Sequence, residues 1–379
     1  MEIKDIRNRI DVIDDQIAKL YIERMQYGKE IAEQKRINNL PITNSARESE
    51  IIARIAKEMP DELKLYSKRL FECIFDTSKA YQSEYLSTES PIKKKIVEAL
   101  KVMKSFPTFA TVAVQGVAGA YTQIAASRLF EIPSINYFKD WNGVFSAVEK
   151  GLCQYGVLPI ENSTAGSVNK VYDLMIEHNF YIVRSIKVRV THSLLVPRGV
   201  KLEDVKEIIS HEQALNQCSK FLQARGDKVK ITTYANTALA AKYVAESGRK
   251  DLACIASQEC ADVYGLVELE SNIQDNNNNY TRFIAISKDL QLFDGSDKIS
   301  VMASLPHETG SLNKLLNRFS SLGLNLTKLE SRPVGNSPFE FVFYFDFEAD
   351  TRRIDVQNLL AGMELGSGHF TFLGGYKEI

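Results

Sequence analysis

Cysteine is scarce and shows no pairing pattern. Cys73, Cys153, Cys218, Cys254 and Cys260 are odd in number, scattered and without a C-x-x-C pair. That disfavours both a disulfide framework and a zinc site, and the thiols are read as reduced and partly buried. An excess of one charge is missing too: 47 Lys plus Arg stand against 48 Asp plus Glu, for a net charge of -1 and a pI ≈ 6.6. Neither nucleic acid nor a membrane surface is therefore an expected partner. No run approaches the roughly 20 apolar residues needed to span a bilayer, and the charged N-terminus lacks the apolar stretch of a signal peptide. A cytoplasmic location is expected. The glycine pattern G-x-G-x-x-G is absent, which disfavours a nicotinamide enzyme, and residues 1–86 contain no His for acid–base work.

With 379 residues and 44% hydrophobic content, the chain can bury more than one core, and its length predicts two to three domains. Residues 1–86 are expected to be all-helical. Ile3, Ile6, Ile10, Ile13, Ile17 and Leu20 step by threes and fours, the seam of one long helix reaching about Arg36. Arg24 then takes a seam position. A guanidinium buried without a partner costs several kcal/mol, roughly, so it calls for an anion; a polar register-setter in a coiled coil is the other reading. Lys35 returns to nearly the same face as Arg24 at about 100° per residue. Arg7 is roughly 25 Å from Arg24 along the helix and can join it only from another chain. Two further helices, near Arg47 to Met59 and Glu62 to Tyr85, are too few to cover a helix about 48 Å long, so an interlocked dimer is expected. Ser78 and Gln82 share a face of the third helix, and Arg47-Glu48 opens the second.

This spacing resembles the all-helical chorismate mutases over nearly the whole segment. The resemblance implies that Arg24 and Arg7 of the partner subunit bind the two substrate carboxylates, with Arg47 a further polar contact. Lys35 and Gln82 look like the family's donors to the ether oxygen, and Glu48 and Ser78 match its remaining polar contacts. Asn44 stands where the family often has Asp; Asn accepts a hydrogen bond but loses a charge, so altered affinity is expected. The implied reaction, chorismate to prephenate, is an intramolecular Claisen shift. It needs no nucleophile, cofactor or metal, only a compact conformer and donors aimed at the charge growing on the ether oxygen.

Residues 87–108 read as a linker. Ser87 to Pro91 is polar, Lys93 to Lys104 is a short basic helix, and Ser105-Phe106-Pro107 ends it. A phosphate contact at Lys93-Lys94-Lys95 competes with the plainer reading of a solvated charge run. From 109 to 290, strand-like runs such as Thr111 to Gln115, Tyr155 to Pro159, Glu207 to Ser210, Leu252 to Ala256 and Arg282 to Ile286 alternate with helical stretches, predicting a mostly parallel sheet with covered faces and two lobes around a cleft. Polar clusters follow the strands, where ligands sit in open α/β sheets. They are Pro159 to Val168, Ser210 to Cys218 and, most unusual, Asp275 to Phe283, where four asparagines run into Thr281-Arg282-Phe283; Gly116 to Thr122 is instead a turn into a helix whose amides could hold a carboxylate. A plain surface loop is the alternative for the asparagine stretch.

Together with Ala253 to Ser257, these segments resemble prephenate dehydratase in order and over the whole domain, with a periplasmic-binding-protein-like fold implied. Thr122 stands where Ser is common and Glu212 where Pro is common. The implied reaction removes water and carbon dioxide from prephenate to leave phenylpyruvate. By resemblance Thr281 is the donor at the ring hydroxyl; Thr is a weak acid, so it is read as polarising the leaving oxygen or relaying a proton. Asn162, Ser163, Ser210, Gln217 and Phe283 are expected around the substrate, with Glu161 the second candidate proton source. His211 is either an acid or a helix cap. Arg282 meets a substrate carboxylate or supports the loop.

Residues 297–379 alternate as strand, helix, strand, strand, helix, strand, a ferredoxin-like α+β unit that serves either dimerisation or sensing. Thr309-Gly310-Ser311-Leu312 opens a helix whose amides can hold a carboxylate. The unit resembles an ACT domain, Glu330-Ser331-Arg332-Pro333 matching the phenylalanine-regulated dehydratases, so Gly310, Ser311, Leu312, Glu330, Ser331 and Arg332 are the expected effector contacts. The full chain resembles the bifunctional chorismate mutase/prephenate dehydratases, a homodimer or larger homo-oligomer feedback-inhibited by phenylalanine. The rival is a non-catalytic protein that binds an aromatic acid.

Overall fold

The isoleucine seam forms one uninterrupted helix, α1 (Ile3–Ile37), whose start is closed by a capping box between Glu2 and Asp5. The computed structural model describes residues 2–38, 40, 44–86, 90–333 and 341–379; Ser87 to Glu89 of the expected linker and Glu340 of an expected strand lie outside them. Helix α2 (Ser45–Glu58) and helix α3 (Lys64–Leu86) follow, and α1 and α2 both pack on α3. Gly28 and Ala32 are the buried residues of α1. Small side chains let two helix backbones approach closely, and a methyl group on Gly28 would sit 3.1 Å from the Ser78 hydroxyl. The seam itself stays between 45% and 71% exposed from Ile3 to Leu20.

The stretch read as a linker contains the helix expected within it. Helix α4 (Pro91–Lys101) carries an apolar stripe of Ile92, Ile96 and Ala99 and buries it. Past that helix, Phe106 packs between Phe130 and Phe293 with the Arg184 guanidinium stacked on it at 4.1 Å. Hydrophobic spacing, not the lysines beside it, decides the role of this stretch.

The α/β region then runs β1 (Phe109–Gln115), α5 (Tyr121–Leu129), β2 (Ile132–Phe138), α6 (Trp141–Glu149), β3 (Tyr155–Asn162), β4 (Gly166–Ser167), α7 (Asn169–His178) and β5 (Tyr181–Arg189). Residues 190–192 cross to a second lobe of β6 (Ser193–Val196), β7 (Glu207–Ser210), α8 (Glu212–Gln217), α9 (Ser219–Gln223), β8 (Lys230–Thr233), α10 (Thr237–Glu246), β9 (Leu252–Ala256), α11 (Glu259–Tyr264) and β10 (Val267–Glu270). Residues 271–279 return the chain to β11 (Tyr280–Ser287) in the first lobe. The strand order is β5-β11-β3-β1-β2 in the first lobe and β10-β6-β9-β7-β8 in the second. Side chains of the second sheet alternate: Leu195, Ile209 and Cys254 face α10 and α11, whereas Leu194, Ile208 and Ile255 face α8 and α9. Both faces are covered at the centre of the sheet, so β9 is apolar and buried throughout, whereas the edge strands β8 and β10 carry Lys230, Thr232, Glu268 and Glu270.

The sheets are mixed, not mostly parallel. Strand β11 runs antiparallel to both β3 and β5, and β6 antiparallel to β9 and β10. The cause is the double crossing. The chain leaves the first lobe at the end of β5 and re-enters beside it, Tyr280 opposite Arg189, so the returning strand must run backwards.

The C-terminal elements are β12 (Lys298–Ser304), α12 (Ser311–Ser321), β13 (Asn325–Pro333), β14 (Phe341–Glu348), α13 (Ile354–Gly366) and β15 (Phe370–Glu378). Contacts divide the chain into two units, residues 1–101 with 301–372 and residues 102–300 with 373–379. In the first, α13 packs on α3 and α4 and is buried from Val356 to Met363, Gln357 and Asn358 included. Glu364 accepts from Ser90 Oγ at 2.5 Å and from the Ile92 amide at 3.2 Å, closing the start of α4. Asn358 accepts from Lys93 Nζ at 2.5 Å. In the second unit the chain end pairs Lys377 and Glu378 with β5.

Gly374 is where this last strand needs glycine: its φ is 144°, and a Cβ there would run into the Ile182 carbonyl oxygen. Gly374→Ala is expected to cost about 1–3 kcal/mol through backbone strain. Urea unfolding of the variant checks this, and a midpoint equal to that of the parent chain refutes the close approach.

Candidate active sites

The helical site grows from the α1–α3 contact. Arg24, Gly28, Ala32 and Lys35 share a face of α1; Phe75, Ser78 and Gln82, at spacings of three and four, share a face of α3. Gln82 Nε2 donates to Ser78 Oγ at 3.2 Å, and Arg24 lies over the Phe75 ring at 5.5 Å. Arg24 Nη1 and Gln82 Oε1 are buried with no hydrogen-bond partner among the described residues. Burial depresses the Arg24 guanidinium, Tyr21 opposing in part. Burial likewise lowers Lys35, with the nearby Glu48 carboxylate raising it and Lys79 lowering it further. Lys79 is bound at 3.1 Å to Glu48 and at 3.2 Å to Asp76. This brings the half-buried cations Arg24 and Lys35 beside the buried Gln82 amide, an arrangement suited to a small anion.

Other residues named for this site lie apart from it. Arg7 is exposed on α1, and Arg47 is an exposed partner of Glu50 at 2.7 Å. Asn44 is the N-cap of α2 and accepts from the Arg47 amide at 3.1 Å. That is a task Asp performs equally well.

The second site is built on one antiparallel rung, Thr281 opposite Asn162. Asn162 Oδ1 accepts from the Thr164 amide at 3.0 Å, the Thr164 hydroxyl at 2.7 Å and the Ala165 amide at 2.9 Å. Those donors dictate which way the amide faces. Its Nδ2 therefore donates to Thr281 Oγ1 at 2.8 Å and to Asn279 Oδ1 at 2.9 Å. With that oxygen already accepting a bond, the Thr281 proton is directed away from Asn162. Ser163 closes the loop: its amide donates to the Tyr280 carbonyl at 2.8 Å, and its hydroxyl accepts from the Tyr280 amide at 3.0 Å.

The next rung, Arg282 opposite Glu161, faces the other way because strand side chains alternate. Arg282 is buried, 3.7 Å from Glu161 and 3.7 Å from Glu378. Glu161 thus lies as a counter-ion to Arg282, on the strand face opposite Thr281. Arg282 takes the supporting role of the two expected for it. Phe283 is 2% exposed, inside the first-lobe core with Val157 and Ile186, so it packs and does not line a cleft. Ser210 is fully buried and its hydroxyl donates to the Ile255 carbonyl at 2.6 Å, stitching β7 to β9. His211 caps α8, its Nδ1 accepting from the Gln213 amide at 3.3 Å. Thr122, which the sequence noted only as a departure, donates to the Gln115 carbonyl at 2.6 Å.

Sequence reasoning missed Asn279, Thr164 and His192. Asn279 lay within the asparagine run but could not be told from its neighbours; Thr164 and His192 carry no motif of their own. Gln217, which was expected at the site, has its side-chain oxygen 2.9 Å from His192 Nε2. Among the effector positions, Gly310 is left-handed at the start of α12, φ 86°, and Glu330 pairs with Lys328 at 3.2 Å. Among the described residues no cluster of metal-ligating side chains occurs, and no helix is long and apolar enough to cross a membrane.

Comparison with known proteins bears on both sites. Residues 112–291 match the family Prephenate dehydratase, and residues 6–83 match Chorismate mutase type II. The bifunctional chorismate mutase/prephenate dehydratase of Aquifex aeolicus (strain VF5) is 32% identical over 100% of this chain and 98% of its own. The chloroplastic arogenate dehydratase/prephenate dehydratase 2 of Arabidopsis thaliana is 34% identical over 79% of this chain and 81% of that protein. A crystal structure of prephenate dehydratase in complex with L-Phe from Arthrobacter aurescens, 29% identical, superposes with a TM-score of 0.63 over 70% of this chain and 89% of that one.

Glu378 supplies a pH test of the support behind Thr281. Burial alone would raise its carboxyl; hydrogen bonds from Lys187 and Lys298, each 2.7 Å, and the charges of Lys298 and Arg282 bring it down from 4.5 to about 2. A depressed carboxyl stabilises the fold above its unfolded value and loses that contribution as the pH falls through its folded value. Acid unfolding between pH 4.5 and about 2 should therefore be shallower in Glu378→Gln, which should also be less stable at pH 7. An acid limb identical to that of the parent chain contradicts the assignment.

Proposed function

This chain belongs to the bifunctional chorismate mutase/prephenate dehydratase family, and from that premise we infer that it converts chorismate to prephenate and prephenate to phenylpyruvate, two steps towards phenylalanine. For the first step, Arg24 and Arg7 of the partner subunit hold the carboxylates. Lys35 and Gln82 donate to the ether oxygen as the C–O bond breaks and the new C–C bond forms. The buried, unmet Nη1 of Arg24 supports this reading, because such a donor gains most from an arriving anion. The isoleucine seam left in water along α1 supports a homodimer that covers it and delivers that second arginine.

The observation that carries the second step is the Thr281 hydroxyl, anchored through its oxygen by Asn162 at 2.8 Å. Its hydrogen is then available to the ring hydroxyl of prephenate. As the carboxylate leaves as carbon dioxide, the electron pair of the breaking C–C bond enters the ring and the hydroxyl departs, taking up a proton to become water. Thr281 stabilises the charge growing on that oxygen. We assign Gln217, Asn162 and Ser163 to positioning around the substrate. The second unit carries the dehydratase and the helices of the first carry the mutase.

We assign residues 297–379 to a ferredoxin-like ACT domain that binds phenylalanine and inhibits the dehydratase. The element order and the left-handed Gly310 at the head of α12 support this assignment. So does the L-Phe held by the Arthrobacter structure. Unpaired, mostly buried thiols fit a reducing cytoplasm.

Incubating the purified chain with chorismate and identifying the acids by mass spectrometry tests both steps. Phenylpyruvate is expected. Thr281→Ala should stop at prephenate, with dehydration down about 100-fold or more, and Arg24→Ala should leave chorismate unconsumed. An unchanged product profile in either variant removes that residue from its role. Because the Arabidopsis relative is named for arogenate as well, that acid is offered in parallel. Added phenylalanine should slow dehydration, and rates indifferent to it count against the sensor.

A further inference from the structure

We propose that His192 is a positioning residue for the dehydration: its imidazole clamps the Gln217 carboxamide so that the NH2 group, and not the oxygen, is presented to the substrate. The inference rests on the reading that Gln217 meets prephenate. His192 lies in the first crossing segment and is 2% exposed. Its main chain is tied to the second crossing: its amide donates to Gln274 Oε1 at 2.9 Å and its carbonyl accepts from the Ile273 amide at 3.0 Å. Gln217 is anchored to the same crossing, its carbonyl accepting from the Asp275 amide at 2.7 Å. The side-chain contact between Nε2 and Gln217 Oε1, 2.9 Å, therefore joins two residues whose backbones cannot drift apart independently.

Chemistry settles the tautomer. His192 Nδ1 is buried with no partner among the described residues. A proton on Nδ1 would strand a buried donor and turn two lone pairs, Nε2 and Gln217 Oε1, towards each other. A proton on Nε2 makes a good bond and leaves only a lone pair unmet. Burial holds the imidazole below its usual 6.5 against the opposing pull of Gln217, so the neutral form with one N–H prevails near neutrality. Once Oε1 is claimed by that N–H, Gln217 offers its two remaining amide hydrogens, which suit an anionic oxygen and would reject a cation. The ligand chemistry implied is a carboxylate or keto oxygen of the diacid.

The test uses the full chain, with kcat and KM for prephenate measured in His192→Leu, His192→Gln, Gln217→Ala and the double variant His192→Leu/Gln217→Ala; circular dichroism and the urea midpoint of the unfolding transition report that each protein is folded. His192→Leu is expected to lower kcat/KM about tenfold or more, mainly through KM. His192→Gln, which keeps an N–H near the Nε2 position, should recover most of that, and the double variant should be no worse than Gln217→Ala. If the effect of His192→Leu is undiminished once Gln217 is gone, or if it has no effect, the clamp is refuted. If Gln217→Ala by itself leaves kcat/KM unchanged, the reading that Gln217 meets the substrate is what fails. Should His192→Leu not fold, nitrogen NMR of the native imidazole decides: a proton on Nε2 and a bare Nδ1 support the clamp, and a protonated Nδ1 overturns it.

Discussion

The orientation of a single carboxamide, that of Asn162, organises the hydrogen bonds around Thr281. Asn162 spends its oxygen on three donors of the turn that follows it, so its nitrogen has no choice but to face β11. One local turn thus dictates a hydrogen bond between two strands whose residues are 119 apart in the chain. A weakly acidic hydroxyl becomes useful only when its proton has a direction, and here the direction comes from a neighbour that cannot flip. The same logic recurs at Gln217, where a buried imidazole takes the place of the turn.

Strand alternation then separates two jobs that would interfere with each other. Thr281 and Asn162 point to one face, while Arg282, Glu161 and Glu378 form an ion cluster on the other. The charged cluster braces the strand from the face opposite the Thr281 hydroxyl. Lys187 and Lys298 complete it, and Glu378 brings the last strand of the chain into the first-lobe sheet. The residues at the end of the sequence are therefore part of the fold that supports Thr281.

In the helical segment the controlling constraint is size. Gly28 and Ala32 allow α1 to lie close to α3, and the close approach dries the space around Arg24, Ser78 and Gln82. A guanidinium nitrogen buried without a hydrogen-bond partner is costly, and that cost falls when an anion meets it. Helix α13 packs on α3 and α4 of this same unit, and its Glu364 and Asn358 bind Ser90 and Lys93. Contacts with two helices fit a helix buried from Val356 to Met363.

Local patterns carried much of this. The three-and-four spacing of isoleucines determined α1; alternation of apolar runs with polar punctuation determined the α/β segment; and the asparagine run before Thr281 marked a site. These are short-range properties, readable because side-chain periodicity mirrors backbone geometry. Tertiary structure decided what depends on partners distant in the chain. It made β11 antiparallel through the double crossing, turned Ile92 and Phe106 of an apparent linker into packed residues, and sent Phe283 into the core. It set Glu161 behind the sheet and gave a motifless His192 the task of holding Gln217. Hydrogen bonds and burial are properties of pairs, and a pair comes into being only when the chain folds.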